Sequence, residues 1–135
     1  MAEGWLRYYA GGEADIYSAG IEAHGLNKYA VQVMADEMID ISGHRSKTID
    51  ELPDMEFDYV ITVCDNAKEK CPVFPAKTIR LHKSFPDPSL FKGTEKEILA
   101  KFQELRDEIE DFCFDFIHNH IRPLIPYDLD NVLRM

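Results

Sequence analysis

Three side chains stand where thiol or acid chemistry could occur: Cys64, Cys71 and Asp87. Cys64 directly follows Tyr59-Val60-Ile61-Thr62-Val63, a β-branched run of strand length, and so stands at a strand's carboxyl end. The next residues, Asp65 to Lys70, favour a short helical turn, and Cys71-Pro72 closes the segment. A thiol at a helix N-terminus sees unpaired N–H groups and the positive end of the dipole, both of which favour thiolate. A second thiol seven positions on reaches bonding distance only if the intervening turn loops or partly unwinds, which suits a disulfide that forms and breaks during turnover. Spacing alone leaves two other readings open: a pair of small apolar side chains, or two zinc ligands. Cys-x6-Cys is not a usual zinc spacing, and although His82 offers a third ligand, no fourth stands out.

Asp87 lies in Ser84-Phe85-Pro86-Asp87-Pro88, between two prolines that restrict its backbone. A carboxyl held stiffly and partly desolvated can act as a general acid toward a leaving oxygen, although Asp before Pro is more often a turn former. His24 and His44 fall in Gly-containing loops, where a hydrogen-bonding loop role is the simpler reading. Cys113 sits beside Phe112 in a helical run and reads as a buried thiol.

The elements that must position these residues follow from periodicity. Met1 to Tyr9 reads as a short helix and Ala14 to Ser18 as a strand. Asn27 can cap a helix whose Ala30, Val31, Met34 and Met38 share one face and which ends near Glu37. Thr48-Ile49-Asp50-Glu51 matches a capping box before a short turn stopped by Pro53. Tyr59 to Val63 is apolar enough to be a central strand buried on both faces, and Lys77 to Leu81 is a weaker strand. Thr94 and Glu97 begin a long helix with Ile98, Phe102, Leu105, Ile109, Phe112 and Phe116 in a core-facing stripe, ended by Pro123 and Pro126. Strands alternating with helices imply an α/β fold: a parallel sheet with helices on both faces and ligands at the strands' carboxyl ends.

Composition bounds the function. The 135 residues, 45% hydrophobic and 30% charged, suit one globular domain. A formal charge of -10 leaves no cationic excess for a nucleic acid or an anionic membrane surface. No apolar run approaches the roughly 20 residues that span a bilayer, and the first thirty residues lack a secretory pattern, so a cytoplasmic location is expected. Three cysteines, an odd number, argue against a disulfide framework.

Met1-Ala2-Glu3-Gly4-Trp5, Tyr17-Ser18-Ala19-Gly20-Ile21-Glu22-Ala23-His24-Gly25, Asp40-Ile41-Ser42-Gly43-His44, Cys64 through Cys71-Pro72, and Phe85-Pro86-Asp87-Pro88 occur in this order. Together they resemble the thioredoxin-coupled arsenate reductases of the low-molecular-weight tyrosine phosphatase superfamily. The Tyr-Ser-Ala-Gly and Asp-Pro pieces are shared with the phosphatases, whereas the Cys64/Cys71 pair is characteristic of the reductases.

The resemblance implies a flavodoxin-like, four-stranded parallel sheet in the order 2-1-3-4, with helices on both faces, over residues 1–121, followed by a tail over 122–135. It also implies a thiol relay. A loop cysteine attacks arsenate, Asp87 assists departure of an oxygen, Cys64 attacks the adduct to release arsenite, Cys71 takes over the disulfide, and thioredoxin reduces it. Glu3 and Ser18 match positions that help hold a potassium ion in some members, and no tightly bound cofactor is implied. Lys47 replaces an acidic ligand there, and Lys83 stands where an aromatic residue is common.

In that family a Cys-x5-Arg phosphate loop followed by Ser-x-Met-Ala-Glu-Gly precedes the first helix, and this sequence begins at that Met. The first strand and its anion-binding nest, roughly fifteen to twenty residues, are expected to be missing, which leaves the sheet incomplete and the chain inactive by itself. A start assigned at an internal Met, a segment left off, and a shortened paralogue all fit, and coincidence of the cut with the family's own Met favours the first. Two other functions remain open: a low-molecular-weight protein tyrosine phosphatase, or a non-catalytic thiol protein that captures arsenite.

Overall fold

The computed structural model describes residues 1–20, 26–44, 48–53, 55–63 and 76–122. The chain forms helix α1 (Ala2–Ala10), helix α2 (Lys28–Ala35), a 3-10 turn (Ile49–Glu51), strands β1 (Tyr59–Thr62) and β2 (Ile79–His82), a second 3-10 turn (Pro88–Leu90), and helix α3 (Glu95–Phe116). A π-helical turn, Ile117–Ile121, continues α3.

Each helix end has a local cause. Gly11 closes α1 at φ 57, its N–H donating to the Arg7 carbonyl at 3.1 Å. Asn27 caps α2 as its sequence suggests, its Oδ1 accepting from the N–H groups of Tyr29 at 2.8 Å and Ala30 at 3.3 Å. At the other end Ile39 N–H bonds the Met34 carbonyl and Met38 N–H bonds the Ala35 carbonyl, both at 2.9 Å. This pair of bonds is a Schellman closure, which places Met38 at φ 63. Thr94 caps α3 by accepting from Glu97 N–H at 3.2 Å. The helix leaves α geometry at Ile117, ahead of both prolines, which lie outside the described residues.

Met38 is 95% exposed, so nothing repays its left-handed backbone except the helix closure itself. Met38→Gly is therefore expected to raise stability by about 0.5–1 kcal/mol, after allowing for glycine's greater freedom in the unfolded chain. Urea unfolding reads this as a higher midpoint at unchanged slope. A midpoint below that of the parent chain would contradict the strain.

The three helices pack on one another. Trp5 of α1, Val33 and Met34 of α2, and Phe102, Leu105, Ile109 and Cys113 of α3 form the main cluster with Ile39 and Ile41. Gly4 sits where helix and loop approach closely. A Cβ there would stand 2.9 Å from Ile41 Cγ2 and 3.1 Å from Met34 Cε, so glycine is what lets α1 seat against this core. A second cluster joins Ala10, Phe116 and Ile117 to Tyr59, Ile61 and Leu81, so one face of the sheet lies on the end of α3.

Among the described residues the sheet has two strands, in parallel register Tyr59↔Ile79, Val60↔Arg80, Ile61↔Leu81 and Thr62↔His82. The segment Ala14 to Ser18, expected as a strand, is not one. Its sheet contact is an isolated parallel bridge, Gly20↔Thr48, and the Ile16 carbonyl is bonded by the Arg7 guanidinium at 2.5 Å. A strand needs a neighbour to pair with, and a side chain has taken the neighbour's place. Expected burial of β1 on both faces is also corrected: all four of its residues are half-buried. Tyr59 and Ile61 turn toward α3, whereas the other face carries Val60 and Thr62 with Arg80 and His82 of β2.

Candidate functional site

Three of the sequence motifs converge on Glu3 in the first turn of α1. Its Oε1 accepts from the Ser18 hydroxyl, and its Oε2 accepts from Arg7 Nε at 3.1 Å, one helical turn on. His44 Nδ1 stands 3.7 Å from the same Oε2. A local turn delivers that histidine: Asp40 Oδ1 accepts from both Ser42 N–H at 2.9 Å and Ser42 Oγ at 2.5 Å, and His44 N–H bonds the Ile41 carbonyl at 2.9 Å. The two bonds from Ser42 hold the Asp40 carboxyl below its ordinary range. For Glu3, burial pushes the carboxyl up, but the Ser18 bond, His44 and Arg7 outweigh it and the net shift is downward.

Both oxygens of Glu3 are thus engaged by donors from within the chain, one of them a guanidinium. Arg7 places positive charge at the carboxylate that the resemblance associates with a potassium ion, and the Ser18 hydroxyl donates to the same group. Arg7 was not singled out in the sequence, although its i,i+4 spacing from Glu3 was the available signal. Among the described residues no group of three or more His, Cys, Asp and Glu side chains could hold a metal ion.

At the carboxyl ends of the strands the ladder runs on beyond β1 and β2. Lys83 N–H donates to the Thr62 carbonyl at 2.9 Å and Phe85 N–H to the Val63 carbonyl at 3.1 Å. The Phe85-Pro86-Asp87 segment is therefore tied to the residue immediately before Cys64. Phe85 is anchored by an edge-to-face contact with Phe112 of α3, with centroids 5.9 Å apart, and the Lys83 ammonium lies 5.8 Å from the Phe85 ring centre. Asp87 begins the Pro88–Leu90 turn, its Oδ1 accepting from Ser89 N–H at 2.9 Å and Ser89 Oγ at 2.7 Å. The carboxylate is fixed, as the two prolines suggested, but it is exposed rather than partly desolvated. Cys64, Cys71, His24 and Lys47 lie outside the described residues.

Cys113 is fully buried in the helical core, with its Sγ 3.8 Å from the Ala2 carbonyl. Burial pushes its thiol up to about 12, the behaviour of a packing residue rather than a nucleophile. No described helix is long and apolar enough to cross a membrane.

Residues 1–123 match the family described as low molecular weight phosphotyrosine protein phosphatase. The chain belongs to that family. Its curated relatives include an arsenate reductase of Halalkalibacterium halodurans, 48% identical over 109 residues that cover 81% of this chain and 78% of the relative. An arsenate reductase of Bacillus subtilis is 50% identical over the same length and the same shares. Solved structures share the fold. An arsenate reductase in an oxidized state superposes with a TM-score of 0.73 at 24% identity, covering 87% of this chain and 86% of the other. One in a phosphate-binding state gives 0.68 at 23% identity with the same coverage. The low-molecular-weight phosphatase fold expected from the motifs is thereby established, with two of its strands seen among the described residues.

Proposed function

We propose that this chain serves the reduction of arsenate to arsenite in a cytoplasmic thiol relay recycled by thioredoxin, with residues 1–121 as the working domain and 122–135 as a tail. The observation that carries this reading is its similarity to curated arsenate reductases across about four-fifths of its length, combined with the Cys64/Cys71 pair. In the proposed sequence a thiolate held in a Cys-x5-Arg loop attacks arsenic, and an oxygen leaves with a proton from Asp87. Cys64 then attacks the sulfur of the adduct, two electrons pass to arsenic, and arsenite departs as a disulfide to Cys64 forms. Cys71 displaces the first sulfur to give Cys64–Cys71, and thioredoxin reduces that bridge.

The chain's described residues support the geometry this requires. The backbone bond from Phe85 to Val63 ties the Asp87 segment to the entry of Cys64 at the sheet's ligand-binding edge. Ser89 aims the Asp87 carboxylate, and exposure leaves it accessible to an oxyanion.

Mild oxidation followed by peptide mass mapping tests the relay in the chain as it stands. A single bridge between Cys64 and Cys71 is expected, with Cys113 reduced because its thiol is buried. Under the same mild oxidation Cys71→Ser should permit a mixed disulfide at Cys64 while blocking recycling by thioredoxin. Recovery of a bridge to Cys113, or of none, would overturn the assignment.

A further inference from the structure

Four aromatic rings run in contact across the outer junction of α1 and α3. Tyr8 meets Tyr9 edge to face with centroids 5.0 Å apart, Tyr9 meets Phe114 in the same way at 5.3 Å, and Phe114 stacks on His118 at 4.0 Å. Tyr9 fixes the middle of the row. Its ring stacks on buried Trp5 at 5.9 Å, its hydroxyl donates to Glu110 at 2.8 Å, and its carbonyl accepts from Arg122 at 3.0 Å. The outer rings stay in water: Tyr8 is 63% exposed and Phe114 43%. Exposed aromatic side chains held on a rigid base lose little freedom when a partner covers them, which is why interfaces are rich in them.

The charge beside the rings indicates the occupant. Glu104, Glu108, Asp111 and Asp115 recur at i, i+4, i+7 and i+11 on α3, an exposed stripe about 16 Å long. Phe114 borders it, next to Asp115 and one turn on from Asp111. Between Lys101 and Arg122 the one lysine or arginine is Arg106, which is buried and bonded to the Val33 carbonyl. Among the described residues no hydrogen bond or ion pair reaches the four acids, whereas neighbouring Asp107 and Glu110 are engaged by Arg106 and Tyr9. Like charges three and four residues apart on a helix repel, so the stripe costs the free chain stability that a cationic partner would restore. The Tyr9 hydroxyl is pushed above its ordinary range by burial first, then by its bond to Glu110 and by nearby charges, Asp111 among them.

A second copy of the chain is a poor occupant, since two acidic stripes and two net charges of -10 would face each other. Nor does the surface suit a metal ion, because among the described residues no three His, Cys, Asp or Glu side chains converge. Lysine and arginine both answer carboxylates, but only the planar guanidinium both forks onto a carboxylate and lies flat on a ring. We propose that the rings from Tyr8 to Phe114 and the stripe beside them form a docking surface for an arginine-bearing segment of another protein. Guanidinium groups stack on Tyr8 and Phe114 and pair with Asp111 and Asp115. The Asp87 segment meets α3 through Phe112, two residues and so about 200° round the helix from Phe114. The docking surface is therefore independent of the thiol relay.

Fluorescence anisotropy with labelled oligo-arginine and oligo-lysine peptides of equal length tests it on the full 135-residue chain. About 0.1 M salt confines the reading to charges within roughly 10 Å. Oligo-arginine should bind the more tightly. Tyr8→Ser with Phe114→Ser should weaken oligo-arginine roughly tenfold and shrink its advantage over oligo-lysine, because both rings are lost and no charge is. Asp111→Asn with Asp115→Asn should weaken both peptides. Asp36→Asn with Glu95→Gln, which removes as much charge from exposed positions elsewhere, should change either by less than about twofold. Protection of buried Cys113 from iodoacetamide reports that each variant is folded. If Phe114→Ser exposes that thiol, Tyr8→Ser alone decides, since its ring is mostly in water. Oligo-arginine bound by the ring variants as tightly as by the parent would overturn the proposal. Equal losses from the two pairs of carboxylate variants would overturn it as well, because the peptides would then be reading net charge alone.

Discussion

The 135-residue chain assayed alone with arsenate, thioredoxin, thioredoxin reductase and NADPH should show no arsenate-dependent NADPH consumption. A chain extended before Met1 by a segment carrying Cys-x5-Arg should show it. The difference is expected to be about a thousandfold or more, because both the attacking thiolate and the cradle that holds the oxyanion in line are at stake. No cysteine in the sequence has an arginine six positions after it. The residues six positions beyond Cys64, Cys71 and Cys113 are Lys70, Lys77 and Asn119. Lys70 and Lys77 are point charges on flexible stems, which bind a tetrahedral oxyanion without the bidentate fork. Of the described arginines, Arg7 is engaged by Glu3 and Ile16, Arg106 by Val33 and Arg122 by Tyr9, and Arg80 is not without a partner either. Cys64→Ser in the extended chain should abolish multiple turnover while leaving oxyanion binding. Robust turnover by the 135-residue form would mean that one of its own thiols is the nucleophile. Turnover by the extended chain that survives Cys64→Ser would point to a glutathione-dependent route or to phosphatase chemistry.

Much of the site was legible because its signals are local. Glu3, Ser18 and His44 stood in recognisable motifs, and the structure brings all three together. Asp87 was legible as a fixed carboxylate because prolines on both sides act on the backbone directly. Its exposure was not, since burial depends on what the rest of the chain places above it. The Thr62–His82 pair was invisible for a related reason. His82 drew notice only as a stray zinc ligand, and nothing in the residues between the strands announces that these two positions share a register.

The same division holds for the fold. Asn27, Thr94 and the stripe from Phe102 to Phe116 were read correctly, because caps and helical periodicity are encoded within a few residues. β1 was placed within a residue of its observed end, and β2 was shifted by about two, as expected of a short strand with weak alternation. Ala14 to Ser18 failed as a strand because alternation shows only that a segment can be extended. Whether it pairs depends on a neighbour, and here Arg7 answers the Ile16 carbonyl instead. Arg106 was passed over as one more charged residue of a long helix, which its sequence context gave no reason to doubt.

Replacing Arg106 with alanine should cost about 2–4 kcal/mol, the largest single-site loss of stability expected here. Arg106 is 8% exposed on α3, where its Nη1 donates to the Val33 carbonyl at 3.1 Å. Val33 belongs to the last turn of α2, whose carbonyls have no partner within their own helix. The guanidinium therefore satisfies an orphan acceptor and sits at the negative end of the α2 dipole. Its bonds to Glu37 at 3.4 Å and Asp107 at 2.9 Å involve carboxylates that are about half exposed, so water can replace those contacts at little cost. Water has no such access to Val33, which is fully buried. Alanine leaves that carbonyl unpaired and opens a void beside it, whereas methionine fills the void and loses only the hydrogen bond and the charge. The expected order of urea midpoints is parent, then Arg106→Met, then Arg106→Ala, with Arg106→Lys below the parent because a single ammonium cannot span all three acceptors. An Arg106→Ala midpoint within about 0.5 kcal/mol of the parent would show that α2 and α3 are held by their apolar faces alone.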